Sequence, residues 1–125
     1  VMAFLHAHHR SEDEGLYPVV RERDAAAAAL LDDMATDHEA AVHIVRYAAW
    51  CRDTGAPHHK EAAMAKLFAT EAAARICDQA ARVLASYGYA MEFPVQRYLR
   101  DVRFTLIGGG TSEILKLIIA KEMTR

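Results

Sequence analysis

The sequence predicts an all-α domain: an up-down four-helix bundle with a short extra helix before the last helix. Three observations carry that expectation. Hydrophobic residues make up 53% of the chain while Gly and Pro number only 6 and 3, a balance that favours helix. Apolar residues recur three and four positions apart over long stretches, with no period-two alternation that would mark a strand. The helix-breaking residues cluster between those stretches rather than inside them. At 125 residues the length suits one domain, residues 1–125.

The first element spans residues 1 to about 22, with Leu5, His8, Glu12, Leu16 and Val19 in one stripe. Asp24 can cap a second helix, which opens on the run Ala25 to Ala29. Its stripe is Leu31, Met34, His38, Ala41, Val45 and Ala48, and it continues to Trp50. Gly55 and Pro57 stop it. A third helix runs from about His58 to Ser86, with Ala65, Phe68, Ala72, Ile76, Gln79 and Val83 on one face. The stretch YGYAMEFP breaks the pattern. Pro94 suits the first turn of a short helix, PVQRYLRDVR. GGG at 108–110 is a flexible turn. Thr111 or Ser112 caps the last helix, Glu113 sits in its first turn, and Ile114, Leu117 and Ile118 form its apolar face.

Charge and composition exclude several functions. A formal charge of −2 gives no global basic field for nucleic acid or anionic membrane. Arg97, Arg100 and Arg103 form only a short basic edge, read as a solvated face. Cys51 and Cys77 make no CxxC and read as buried thiols in a reducing compartment. No apolar run reaches membrane-spanning length, and the first residues do not read as a signal peptide, so a cytoplasmic location is expected. The start at Val1 hints at trimming or excision.

Polar residues on apolar stripes are the candidate chemistry. His8 and Glu12 lie four apart and share a face with Leu5, Leu16 and Val19. His38 interrupts the stripe between Met34 and Ala41, and His43 follows. Burying such groups unpaired costs about 2–7 kcal/mol, so pairing or metal ligation is expected. His6, His9, Asp13 and Glu14 fall off the stripe and read as surface.

HAHHRSEDEGLYPVV followed by DDMATDHEA resembles the hemerythrin-like, cation-binding four-helix bundles. The pattern is H-x-x-x-E, a Leu-aromatic-Pro end, then D-H-E on the next helix, over about residues 1–43. The resemblance implies metal ligands at His8, Glu12 and His38. His43 stands where that family usually has a carboxylate. Four such ligands suit zinc or a single iron better than a di-iron pair.

From about residue 30 the chain resembles another family. LLDDMATDHEAAVHIVRYAAWCRDTGAPHHKEAAMAKLFATEAA and YGYAMEFPVQRYLRDVRFTLIGGGTSEILKLIIAKEM are similar to the C-terminal helical domain of acyl-CoA dehydrogenases. That family uses FAD and a glutamate base to desaturate acyl-CoA thioesters. Its N-terminal helical and middle β domains lie outside these residues. In its commonest branch the base precedes Gly-Thr-Ser in the last loop, and Gly109 stands there. Another branch carries its base on the first helix of the domain. Thr111 and Glu113 match positions beside the flavin, although a helix cap with a first-turn acid accounts for both. Arg82 replaces a frequent glutamine, and Ala85 and Ser86 replace a glycine pair.

The two resemblances overlap in LLDDMATDHEAA. The expected organisation is therefore a chimera, with a hemerythrin-like segment at 1–38 and a dehydrogenase-like segment at 39–125. The first helix would fill the place of the dehydrogenase domain's own. The function expected is a recombined or designed scaffold without catalysis of its own and without a bound cofactor; the alternatives are a metal-binding hemerythrin-like bundle and a fragment of an FAD-dependent acyl-CoA dehydrogenase that needs domains outside these residues. The last helix is apolar over more than one face, which predicts a homodimer.

Overall fold

The computed structural model describes residue 22 and residues 25–124. The chain divides into two compact units, Val1–Thr36 and Asp37–Arg125. The described residues hold five helices and no strand: α1 Ala25–Asp53, α2 His59–Val83, α3 Ser86–Tyr89, α4 Val95–Thr105 and α5 Ser112–Met123. The expected all-helical class is the one observed. The N-terminal helix expected at residues 1–22, the Asp24 cap, His8 and Glu12 all lie outside the described residues, Glu22 apart.

In the first unit, Leu31 and Met34 on α1 are half-buried, and Thr36 Oγ1 donates to the Asp32 carbonyl at 2.8 Å. In the second unit, α1 turns Asp37, Ala41, Ile44, Ala48 and Cys51 away from solvent. Those positions are three and four apart, and Ala41 and Ala48 belong to the expected stripe, while Asp37, Ile44 and Cys51 do not. His38 and Val45 are exposed, with Val45 at 47%. Asp37 Oδ2, beside His38, accepts from Arg75 Nη2 of α2 at 2.7 Å, a polar contact that periodicity does not weigh.

Gly55 ends α1 as expected. Its φ is 75°, its N–H donates to the Arg52 carbonyl at 3.1 Å, and Ala56 N–H donates to Cys51 at 2.9 Å. This pair of bonds is the Schellman closure, which satisfies carbonyls that the helix leaves open.

α2 is the centre of the second unit. α4 and α5 both pack on it. Ala63, Ala65 and Ala72 are buried on it, and Phe68, Ile76 and Gln79 are half-buried, as the stripe predicts. Val83 is 60% exposed because the helix ends there, short of Ser86. Ala85 takes φ 50° and ψ −125°, a conformation that favours glycine. A one-turn helix, α3, follows where only a break was expected. Its Gly88 is buried against α2, and a Cβ there would stand 2.2 Å from the Ala81 carbonyl oxygen.

The buried apolar side chains are small. They are Ala48, Cys51, Ala63, Ala65, Ala72, Val102 and Leu115, and no large side chain among the described residues is fully buried. Alanine lets helix backbones approach closely but removes little apolar area per residue from water. Cys51 is buried and Cys77 half-buried; both are free thiols, and burial raises the Cys77 pKa.

The last helix corrects a second expectation. Ile114, Leu117 and Ile118, expected to face the core, are 49%, 65% and 37% exposed. Ser112 and Leu115 are buried instead, with Ile119 half-buried. No helix among the described residues is long and apolar enough to cross a membrane.

Candidate functional site

The candidate site is the turn between α4 and α5 together with the start of α5. Thr105 Oγ1 closes α4 on the Val102 carbonyl at 2.7 Å. Gly108 then lies against the Phe104 ring, where a Cβ would come within 2.8 Å. Gly109 and Gly110 have φ of 73° and 107°, in the left-handed range that side chains resist. Gly109 and Gly110 are therefore required by the backbone at this turn, while a side chain at Gly108 would have to displace the exposed Phe104 ring. A Cβ at Gly109 would meet nothing within 4 Å, so the backbone there is open to an approaching group.

Thr111 is the N-cap, and its hydroxyl accepts from Ile114 N–H at 3.4 Å. Glu113 follows in the first turn. Its carboxyl pKa is lowered, first by its own backbone N–H, then by the Thr111 hydroxyl, with Lys116 adding a smaller attraction. An acid in that place is favoured by the exposed N–H groups of a helix start. The cap thus accounts for both residues, as the sequence allows.

Two side chains of α2 reach this turn. Lys66 Nζ donates to the Gly110 carbonyl at 2.6 Å. Ser112 Oγ donates to Glu71 Oε1. Sequence reasoning had no signal for either, because the partners are 44 and 41 residues apart.

Beside the turn runs an open groove of about 520 Å³, lined by Ile44, Met64, Leu67, Phe68, Glu71, Arg75, Lys116 and Ile119. Its lining is mostly apolar, with three charged groups. Arg97, Arg100 and Arg103 are exposed on α4. Arg97 lies 5.3 Å from the Tyr98 ring centre, and Arg100 donates to Gln96.

The tentative metal ligands are not brought together among the described residues. His38 and His43 are both exposed on α1, and His43 Nε2 sits 3.7 Å from Glu39 Oε1. Five residues of α-helix turn the chain by about 500°, so their Cβ vectors diverge by about 140°. No group of three or more His, Cys, Asp or Glu among the described residues could hold a metal ion.

A flavin is the cofactor the resemblance implies. The backbone at Gly109 is open, with Thr111 and Glu113 beside it, and these residues would line one edge of a site for such a group without enclosing it.

The family model for the acyl-CoA dehydrogenase C-terminal domain matches residues 14–124. The match begins well before residue 39, the expected start of the dehydrogenase-like segment, and covers most of the stretch read as hemerythrin-like. The benzylmalonyl-CoA dehydrogenase of Aromatoleum aromaticum is 79% identical over 94 residues, covering 75% of this chain and 25% of that protein. The human mitochondrial short-chain specific acyl-CoA dehydrogenase is 47% identical over 95 residues, covering 76% of this chain and 23% of that protein. The butyryl-CoA dehydrogenase of Megasphaera elsdenii superposes with a TM-score of 0.80 at 33% identity, covering 82% of this chain and 27% of that one. The chain spans about a quarter of the length of the curated relatives it matches. A matched family model over residues 14–124, with the helical turn in place, means that the chain belongs to the acyl-CoA dehydrogenase C-terminal domain family.

Proposed function

We propose that this chain acts as the C-terminal helical domain of an FAD-dependent acyl-CoA dehydrogenase and has no catalysis of its own. The observation that carries this reading is the turn at 108–113, held on α2 with its backbone open at Gly109. A bound flavin would accept the hydride removed from the thioester. This chain's part is to present the Gly109 backbone and the capped start of α5 to that group. Gly109 has no side chain to take a proton, so this turn does not supply the base that the commonest branch of the family carries there. The 79% identity to a benzylmalonyl-CoA dehydrogenase makes a CoA thioester of an aryl-substituted acid the first substrate class to test.

The test is an exchange. The 94 aligned residues of the Aromatoleum aromaticum enzyme are replaced by those of this chain. Retained flavin and turnover of benzylmalonyl-CoA are expected, and an apo-protein that folds but takes no FAD would reject the reading. The chain alone should turn over no acyl-CoA thioester; measurable turnover would overturn the statement that it lacks catalysis.

A homodimer belongs to the same proposal. Ile114 and Leu117 on α5 stay exposed beside a core of small residues, and a second copy of the chain would cover them. Light scattering that gives a monomer mass at every concentration would end this part.

The N-terminal pattern supports a second reading, in which residues 1–38 derive from a hemerythrin-like bundle joined in phase to the dehydrogenase helices. Its metal site would use His8 and Glu12 with His38 or His43, the divergence of the last two leaving one of them outside. Elemental analysis of untagged protein tests it, and an absence of stoichiometric zinc or iron counts against it.

A further inference from the structure

We propose that Lys66 and Glu71 are positioning residues for the α4–α5 turn, holding the Gly109 backbone in the one conformation that the proposed flavin-facing role needs. The proposal rests on that reading for its purpose, but its structural basis is independent. Three consecutive glycines give the turn more conformational freedom than any other stretch of the chain, and freedom must be removed for a group to meet a fixed surface. Local bonds do not complete this, since the cap fixes Thr111 to Ile114 and the Gly108 N–H is held by the Phe104 carbonyl at 2.8 Å, leaving Gly109 and Gly110 between them.

The two contacts from α2 bracket Thr111 and fix the end of the glycine stretch. Lys66 puts a cation on the Gly110 carbonyl, one residue before the cap, at 2.6 Å. Glu71 accepts from Ser112, one residue after the cap, and Ser112 is only 7% exposed. Hydrogen bonds with one charged partner are the stronger kind, and partial burial of both contacts protects them from water. The anchors stand on the helix that α4 and α5 both pack against, so the turn is fixed relative to the bundle and not only to itself. Thr70, between the anchors, spends its hydroxyl on the Lys66 carbonyl at 2.9 Å and does not compete for the turn.

Native-state amide hydrogen exchange on the 125-residue chain tests the anchors, with Lys66→Met, Lys66→Arg and Glu71→Gln variants. Lys66→Met should speed exchange at Gly108, Ile114 and Leu115, whose N–H groups are bonded at the two ends of the turn, by about tenfold or more, while amides in the middle of α2 change by less than about twofold. Lys66→Arg, which keeps a cationic donor, should restore most of the protection. Glu71→Gln, which keeps an acceptor, should show a smaller effect confined to the start of α5. An equal rise throughout the chain would reduce Lys66 to a stability residue and overturn the proposal, as would no change at the turn. A second arm uses the exchange enzyme described above. There Lys66→Met should shift the flavin absorption spectrum and lower kcat more than it raises KM, with Lys66→Arg returning both. If the exchange enzyme with Lys66 intact takes no flavin, the proposed function fails, and the anchors are judged by the exchange data. Flavin uptake with a spectrum indifferent to Lys66→Met would sink the positioning role.

Discussion

α2 and α5 are both rich in apolar residues at helical spacing, yet they differ in how sequence maps to burial. On α2 the expected face is the buried one, from Ala65 through Phe68, Ala72 and Ile76 to Gln79. On α5 the expected face, Ile114, Leu117 and Ile118, is the exposed one. The difference lies in the other faces. Outside its stripe α2 carries Lys60, Glu61, Arg75 and Arg82, so one rotation is clearly better than the rest. Residues 114–120 of α5 hold one charged residue, Lys116, and apolar side chains point nearly all round. Hydrophobicity then does not choose a rotation, and a polar contact does: Ser112 binds Glu71, which carries Leu115 and Ile119 inward.

The sharpest way to break this comparison is a pair of truncations on α5. Leu115→Ala should cost about 2–5 kcal/mol, as for a large-to-small change at a buried site, although Leu115 belongs to no expected stripe. Leu117→Ala should stay within about 0.5 kcal/mol at low protein concentration. Urea melts measure both, and the reverse order of effects would return the buried face to the one expected from the pattern.

Next in size is Gly88→Ala. The added Cβ would meet the Ala81 backbone at 2.2 Å, and backbone cannot rotate away. A loss of about 1–3 kcal/mol is expected; a neutral melt would mean that α3 does not press on α2. Ala85→Gly should act in the opposite direction, stabilising the chain by about 1 kcal/mol through relief of its left-handed backbone. A lower melting temperature for that variant would contradict the strained conformation.

Ser112→Ala should cost about 1–2 kcal/mol by leaving Glu71 without its donor. If the tertiary contact selects the face of α5, this variant should also loosen Leu115, visible as broadened methyl signals.

The smallest effect concerns pH. Glu113 has a depressed carboxyl pKa, so its contribution is present above the unfolded carboxylate pKa and fades as pH falls through the lower folded value. Glu113→Gln should remove that part of the acid sensitivity and leave the most acidic melts unchanged. Identical acid limbs in both proteins would argue against the cap geometry.

Much of the fold was legible because it is local. Gly55 stops α1 through bonds made within six residues, and Pro94 stands at the start of α4 for reasons confined to its own ring. The turn of the candidate site was legible as a turn, and Thr111 as a cap. Its anchors were not, nor was the exposure of His38, nor the pairing of its neighbour Asp37 with Arg75 across 38 residues. Ala85 explains one departure from the family in physical terms: it occupies a backbone conformation suited to glycine, where the family resemblance places a glycine pair.

By itself the sequence determined the helical class, the ends of the longer helices and the family, since propensity, capping and residue motifs act within a few positions. Only the tertiary structure decided the rotation of α1 and α5, the restart at α3 and the residues that hold the glycine turn. Each depends on a contact between side chains or backbones that no period along a single helix records, and on close packing that tolerates one arrangement of those contacts.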